Sequence, residues 1–162
     1  MKQAFCFLAL AVLFAGTSGT TFAQVTKLAA ADREKLLKAT DAPLVTTMHE
    51  IPAEVIKACA AASSGGGFEL ADAGKPFQVT DVITDEKLPG KRLDWAARIP
   101  GYMIVHYETG GIAHAYHVMV VALDPDKKAH VVWAAMAKPM KSYAEFRAAL
   151  IAGKLDDRIP YH

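Results

Sequence analysis

The sequence predicts an α+β domain: an antiparallel β-meander of about five strands, with N-terminal helices and a C-terminal helix packed on one face. Two observations lead there. Apolar residues recur at helical spacing before residue 63 and after residue 142, and alternate in between, which are the periods of a helix and of a half-buried strand. Turn signals punctuate the alternating stretch, at Gly74-Lys75-Pro76, Pro89-Gly90, Pro100-Gly101, Gly110-Gly111 and Asp124-Pro125-Asp126. Their spacing of about ten residues leaves room for one strand between reversals.

The first 23 residues read as an export signal. Lys2 supplies a positive start, Ala4 to Ala15 (AFCFLALAVLFA) an apolar run, and Gly16 to Ala23 a small, polar end with a cut expected before Gln24. Twelve apolar residues span roughly 18 Å, short of the roughly 30 Å hydrocarbon core of a bilayer. No later stretch is apolar for 18 residues. The expected layout is therefore a signal peptide over 1–23 and one domain over 24–162, periplasmic or secreted, with no membrane anchor after cleavage.

Within that domain, Thr26 to Thr40 is Ala-rich and helix-compatible, with Glu34 four residues ahead of Lys38. A second helix starts at Pro52, which suits a first turn, and aligns Val55, Ile56, Cys59 and Ala62 before Ser63-Ser64-Gly65-Gly66-Gly67 ends it. The strands follow as Phe77 to Ile83, Lys91 to Ile99, Tyr102 to Glu108, Ala113 to Leu123 and His130 to Met136. Ser142 and Glu145 then form a capping box for a last helix whose stripe is Tyr143, Phe146 and Leu150 and whose stop is Gly153.

Composition excludes several functions. The chain carries 18 Lys and Arg against 17 Asp and Glu, and removing Lys2 leaves 17 of each. A formally neutral domain lacks the basic surface that displaces counterions from nucleic acid, so no nucleic-acid partner is expected. Cys6 leaves with the signal, and Cys59 remains alone on an apolar stripe, read as a core thiol. Disulfide scaffolds and Cys-rich zinc modules are thereby excluded. Neither glycine run continues as a dinucleotide or phosphate loop, so no cofactor is expected. Ser63 and Ser64 lack a nucleophile elbow, His49-Glu50 lacks the second histidine of a zinc protease, and the Asp124 to Asp126 turn lacks the glycine and final glutamate of a calcium loop.

The tight turns also predict which side chains share a face. An even-length loop centred on Pro100-Gly101 pairs Asp94 with Tyr107, and one centred on Gly110-Gly111 pairs Tyr107 with His114; an odd-length loop would exchange the faces of one strand. On the even reading His106, Glu108 and His117 share the helix-covered face, where two imidazoles and a carboxylate could hold a divalent metal. The competing reading is a histidine pair satisfied by hydrogen bonds at the sheet end. Asp94, Tyr107 and His114 form a row on the other face with Tyr116 beside them, able to orient a polar ligand. Its competing reading is a set of ordinary cross-strand pairs. No residue is assigned a catalytic role. The expected function is a non-enzymatic module binding an unknown protein or small-molecule ligand through the aromatic and histidine-bearing sheet; the alternative is a small metal-dependent enzyme or metal-binding protein using His106, Glu108 and His117.

Overall fold

A computed structural model describes residues 27–63, 67–83, 85–126 and 128–157. The expected export signal lies outside them. Helix α1 (Ala30–Lys38) leads into a short strand β1 (Leu44–Val45), a 3₁₀ turn (Met48–Glu50) and helix α2 (Ala53–Ala62). Four long strands follow: β2 (Lys91–Ile99), β3 (Tyr102–Thr109), β4 (Ala115–Leu123) and β5 (Ala129–Ala137). Helix α3 (Tyr143–Ile151) closes the order. The strands form one antiparallel sheet in sequence order, β1 to β5. This is the α+β meander that the turn spacing predicts. Among the described residues no helix is long and apolar enough to cross a membrane.

Helices cover both faces of the sheet. Leu36 of α1 and Tyr143, Phe146 and Leu150 of α3 pack with Trp95, Ile104, Val118, Val120 and Trp133. The Tyr143 hydroxyl donates to the Leu36 carbonyl at 2.6 Å, locking these two helices together. Val55, Ala58 and Cys59 of α2 pack on alternate residues of the same strands, among them Met103, Val105, Met119, Val121 and Ala134. The single helix-bearing face expected from sequence is the α1/α3 face; α2 supplies a second. Strand residues buried on both sides explain the long apolar runs of β3 and β4, which are a signature of sheets covered twice. Cys59 is fully buried in the α2 core, and burial pushes its thiol up to about 12. That agrees with a packing role.

Residues 77–83, expected as a strand, join no ladder and instead form an irregular loop. The edge of β2 they would occupy is already taken, because Ala71 exchanges backbone hydrogen bonds with Lys91 and Leu93. The loop docks on the β3–β4 turn, with Gly111 N–H donating to the Val79 carbonyl at 3.0 Å. Only Phe77 is buried; Val79, Val82 and Ile83 are exposed.

At α3 the Glu145 N–H donates to Ser142 Oγ at 3.2 Å, as the capping motif requires. The Glu145 carboxylate accepts from the N–H of Lys141, one residue before the cap. Replacing Ser142 with alanine orphans the helix's first donors and should cost about 1 kcal/mol in chemical denaturation. A loss below about 0.3 kcal/mol would show that water replaces the hydroxyl.

Candidate functional site

Two irregularities decide which side chains meet. In the β2–β3 ladder Trp95 pairs with His106 but Leu93 pairs with Tyr107, so Asp94 is an extra residue in a bulge. Beyond the bulge Arg92 pairs with Glu108. In the β3–β4 hairpin Thr109 pairs with Ala115, which leaves a five-residue loop, Gly110 to His114. Such an odd loop moves every β4 residue to the face opposite the one that an even loop gives.

The consequence is one polar cluster that draws on both sequence-predicted constellations. Asp94, His106, Glu108, His114 and Tyr116 come together on the α1/α3 face, with Arg92 beside them. Tyr107 and His117 go to the α2 face, where their rings stack with centroids 5.2 Å apart. The set of His106, Glu108 and His117 expected to bind a metal is therefore split across the sheet. Among the described residues no group of three His, Cys, Asp or Glu side chains is placed to hold a metal ion. The row of Asp94, Tyr107, His114 and Tyr116 loses Tyr107, which is buried against Phe68. Arg92 is the member that sequence reading missed; its signal was an opposite charge two residues from Asp94 in the same strand.

Glu108 is 1 % exposed and fully committed. Its Oε1 accepts from Arg92 Nε at 2.6 Å and faces Arg92 Nη2 at 2.5 Å, and its Oε2 lies 2.5 Å from His114 Nε2. Arg92 donates in addition to the Lys75 carbonyl at 3.2 Å, and its guanidinium lies over the Phe77 ring at 4.6 Å. A carboxylate this deep persists only because donors replace the water it gave up.

His106 is equally committed. Its Nδ1 lies 2.8 Å from the His117 carbonyl, which can only accept, so Nδ1 carries the hydrogen. Its Nε2 accepts from the Met140 N–H at 3.2 Å. The Met140 carbonyl accepts in turn from Trp95 Nε1 at 2.6 Å, which pins the β5–α3 connection over the ring. Burial holds the imidazole below its ordinary pKa, against the opposing pull of the His117 carbonyl and the Glu108 charge. It stands neutral at pH 7.

Asp94 differs from both. Its Oδ2 lies 3.3 Å from His106 Nε2, whose lone pair already has a donor, and is buried with no hydrogen-bond partner among the described residues. Burial, and then the Glu108 charge, push this carboxyl up to about 6, although Arg92 and His114 pull it down. The side chain remains 24 % exposed, so the face of the carboxyl away from His106 meets solvent. Tyr116 and His114 extend outward from it, their rings 5.1 Å apart and the His114 side chain 41 % exposed. Together with Trp95, His106 and Phe77 they make a row of rings, each 5.1 to 6.2 Å from the next.

A raised acid and a depressed imidazole act on stability in opposite directions. Folding raises the Asp94 pKa, so its contribution favours the fold below about pH 4 and is lost as pH rises through about 6. Folding lowers the His106 pKa, so its contribution is present above the ordinary imidazole value and is lost as pH falls below it. Asp94→Asn removes the first dependence alone. Its stability relative to wild type should be greater at about pH 7.5 than at about pH 4.5, by about 1 kcal/mol after allowance for partial exposure. Denaturant melts at the two pH values measure this, and an equal effect at both would place Asp94 in an ordinary, solvated environment.

The cluster can accept a hydrogen bond at Asp94 and stack a flat group on Tyr116 and His114. Neither Cys59 nor Ser63 belongs to it: Cys59 lies in the other core, and Ser63 is held at the end of α2, its hydroxyl donating to the Cys59 carbonyl. Comparison of the chain with protein-family models, curated proteins and solved structures returns no match.

Proposed function

We propose that this chain is an exported, non-enzymatic binding domain. Its recognition surface is the ledge formed by Asp94, His114 and Tyr116, and its ligand or partner protein stacks a planar group on the two rings while donating a hydrogen bond to Asp94. One observation carries this reading: the buried members of the cluster, His106 and Glu108, are used up by the protein, whereas Asp94 and the rings of His114 and Tyr116 face outward. Both nitrogens of His106 and both oxygens of Glu108 have partners inside the fold. Neither of these two residues keeps the uncommitted lone pair within reach of substrate that a general base needs. Half-exposed aromatic rings with polar tips suit recognition, because they offer large apolar area and a directional bond at little entropic cost.

The test is affinity capture on the immobilised exported chain and on its His114→Ala/Tyr116→Ala variant, from a periplasmic extract and from a small-molecule extract of the source cells. Tyr107 stays untouched, since its ring is buried and its loss would probe folding instead. A species retained by the wild type and lost by the folded double variant supports the ledge. Identical retention by both overturns it.

A further inference from the structure

A second site lies on the opposite face of the sheet, independent of the Asp94 ledge. Beyond the end of α2 a cleft of about 700 Å³ opens, bordered by Pro89, Lys91, Thr109, Ala115, His117 and Met136. The ladder explains its floor. Lys91, Thr109 and Ala115 are direct cross-strand partners, and His117 and Met136 are partners in the row behind, so all five project to one side. Methyl, thioether and pyrrolidine groups supply most of the wall. Gly90 also borders it, and a Cβ built there meets no atom within 4 Å, so a side chain at this position has room.

One charge in this cleft has no carboxylate partner among the described residues. Lys91 is half-buried, its Nζ donating to the Gly67 carbonyl at 3.4 Å and lying 5.7 Å from the centroid of the Phe68 ring. Glu69 also borders the cleft, yet none of the ion pairs among the described residues includes Lys91. Burial lowers the ammonium pKa with no carboxylate to oppose it. A partly desolvated cation at the edge of an apolar cleft is the reverse of what stability alone selects, because such a charge is ordinarily paired or left in water. It matches a ligand that brings its own anion, with an apolar body for the remaining walls.

We infer that this cleft binds a small monocarboxylate with an apolar body, its carboxylate on the Lys91 ammonium and its chain along Pro89, Ala115 and Met136. The ligand completes an ion pair that the described residues leave open, and the stacked His117 ring forms the inner wall.

Hexanoate and the isosteric neutral hexanamide are the probes, titrated into the full exported chain while backbone amide signals are followed. Hexanoate should shift Thr109, Ala115, His117 and Met136 saturably with a Kd of about 1 mM or tighter, and hexanamide should bind at least about tenfold more weakly. Lys91→Met keeps the side-chain stem and should abolish that preference. Gly90→Leu fills the cleft without altering charge and should remove both responses. The inference is overturned if hexanoate gives no saturable shift, if the two probes bind alike, or if the preference survives in Lys91→Met. Tyr116→Ala, which removes a ledge ring on the other face and keeps the His114–Glu108 pair, should leave hexanoate binding unchanged, and loss of binding in that variant, with its fold retained, would place the carboxylate at the ledge and overturn this assignment.

Discussion

Arg92→Met will destabilise the fold by about 3 kcal/mol, or about 10 °C in Tm, more than a partly exposed arginine ordinarily contributes. The reason lies in its partner. Glu108 is 1 % exposed, and the two arginine nitrogens on its Oε1 are its main compensation for lost hydration. Removing a buried charge's partner leaves the desolvation penalty without the attraction that offset it, which is why broken buried pairs cost about 3 to 5 kcal/mol. The lower end applies here because His114 remains on Oε2 and Arg92 is 28 % exposed. Arg92→Met also removes the donor to the Lys75 carbonyl and the cation over Phe77, so residues 75–83 should loosen. The double variant Arg92→Met/Glu108→Leu should recover much of the loss, since it eliminates the orphaned charge. Equilibrium denaturation of the three variants gives the numbers. A loss below about 1 kcal/mol for Arg92→Met would mean that water reaches Glu108.

Gly110→Ala is the second large effect, of about 2 to 4 kcal/mol. A Cβ on residue 110 would sit 1.8 Å from the Gln78 carbonyl oxygen and 2.8 Å from the carbonyl carbons of Gln78 and Val79. All three are backbone atoms, so no side-chain rotation relieves the clash. Either the β3–β4 turn or the docked loop must move by more than an ångström. That separation breaks the bonds of Gly110 N–H to the Gly90 carbonyl and of Gly111 N–H to the Val79 carbonyl, both 3.0 Å. Buried Phe77 should then become exposed, detectable as faster amide exchange across residues 77–83. Gly90→Ala, where a Cβ meets open space, should change stability by less than about 1 kcal/mol and serves as the control. Equal effects at the two positions would contradict the close approach.

What the sequence made legible is whatever local chemistry decides. Pro100-Gly101 turns the chain where expected, and Ile99 pairs with Tyr102 as that turn requires. Ser142 caps α3 because its hydroxyl and Glu145 are three residues apart in any conformation. The misreadings arise where the outcome depends on a partner distant in sequence. Leu93, Asp94 and Trp95 read as regular alternation, yet the bulge sends Leu93 to the α2 core and Trp95 to the α1/α3 core. Gly110-Gly111 marks a reversal but not a loop length. With five residues instead of an even number, His117 exchanged faces with Tyr116. The alternating run of 77–83 fits a strand in isolation, but Ala71 already holds the edge it would need. Asp94, His106, Glu108, His114 and Tyr116 were therefore all nameable as candidates, while their grouping followed from one bulge and one odd loop.

The central claim is that the buried histidine and glutamate are committed to the fold and only the ledge around Asp94 is open. Imidazole ¹⁵N NMR on the folded protein as a function of pH tests it most directly. His106 should appear at neutral pH as the Nδ1–H tautomer and gain its second proton only below the ordinary imidazole range, as its bonds to the His117 carbonyl and the Met140 N–H require. An Nε2–H tautomer, or protonation at or above the ordinary value, would show His106 free to exchange a proton with a substrate and would contradict the binding account.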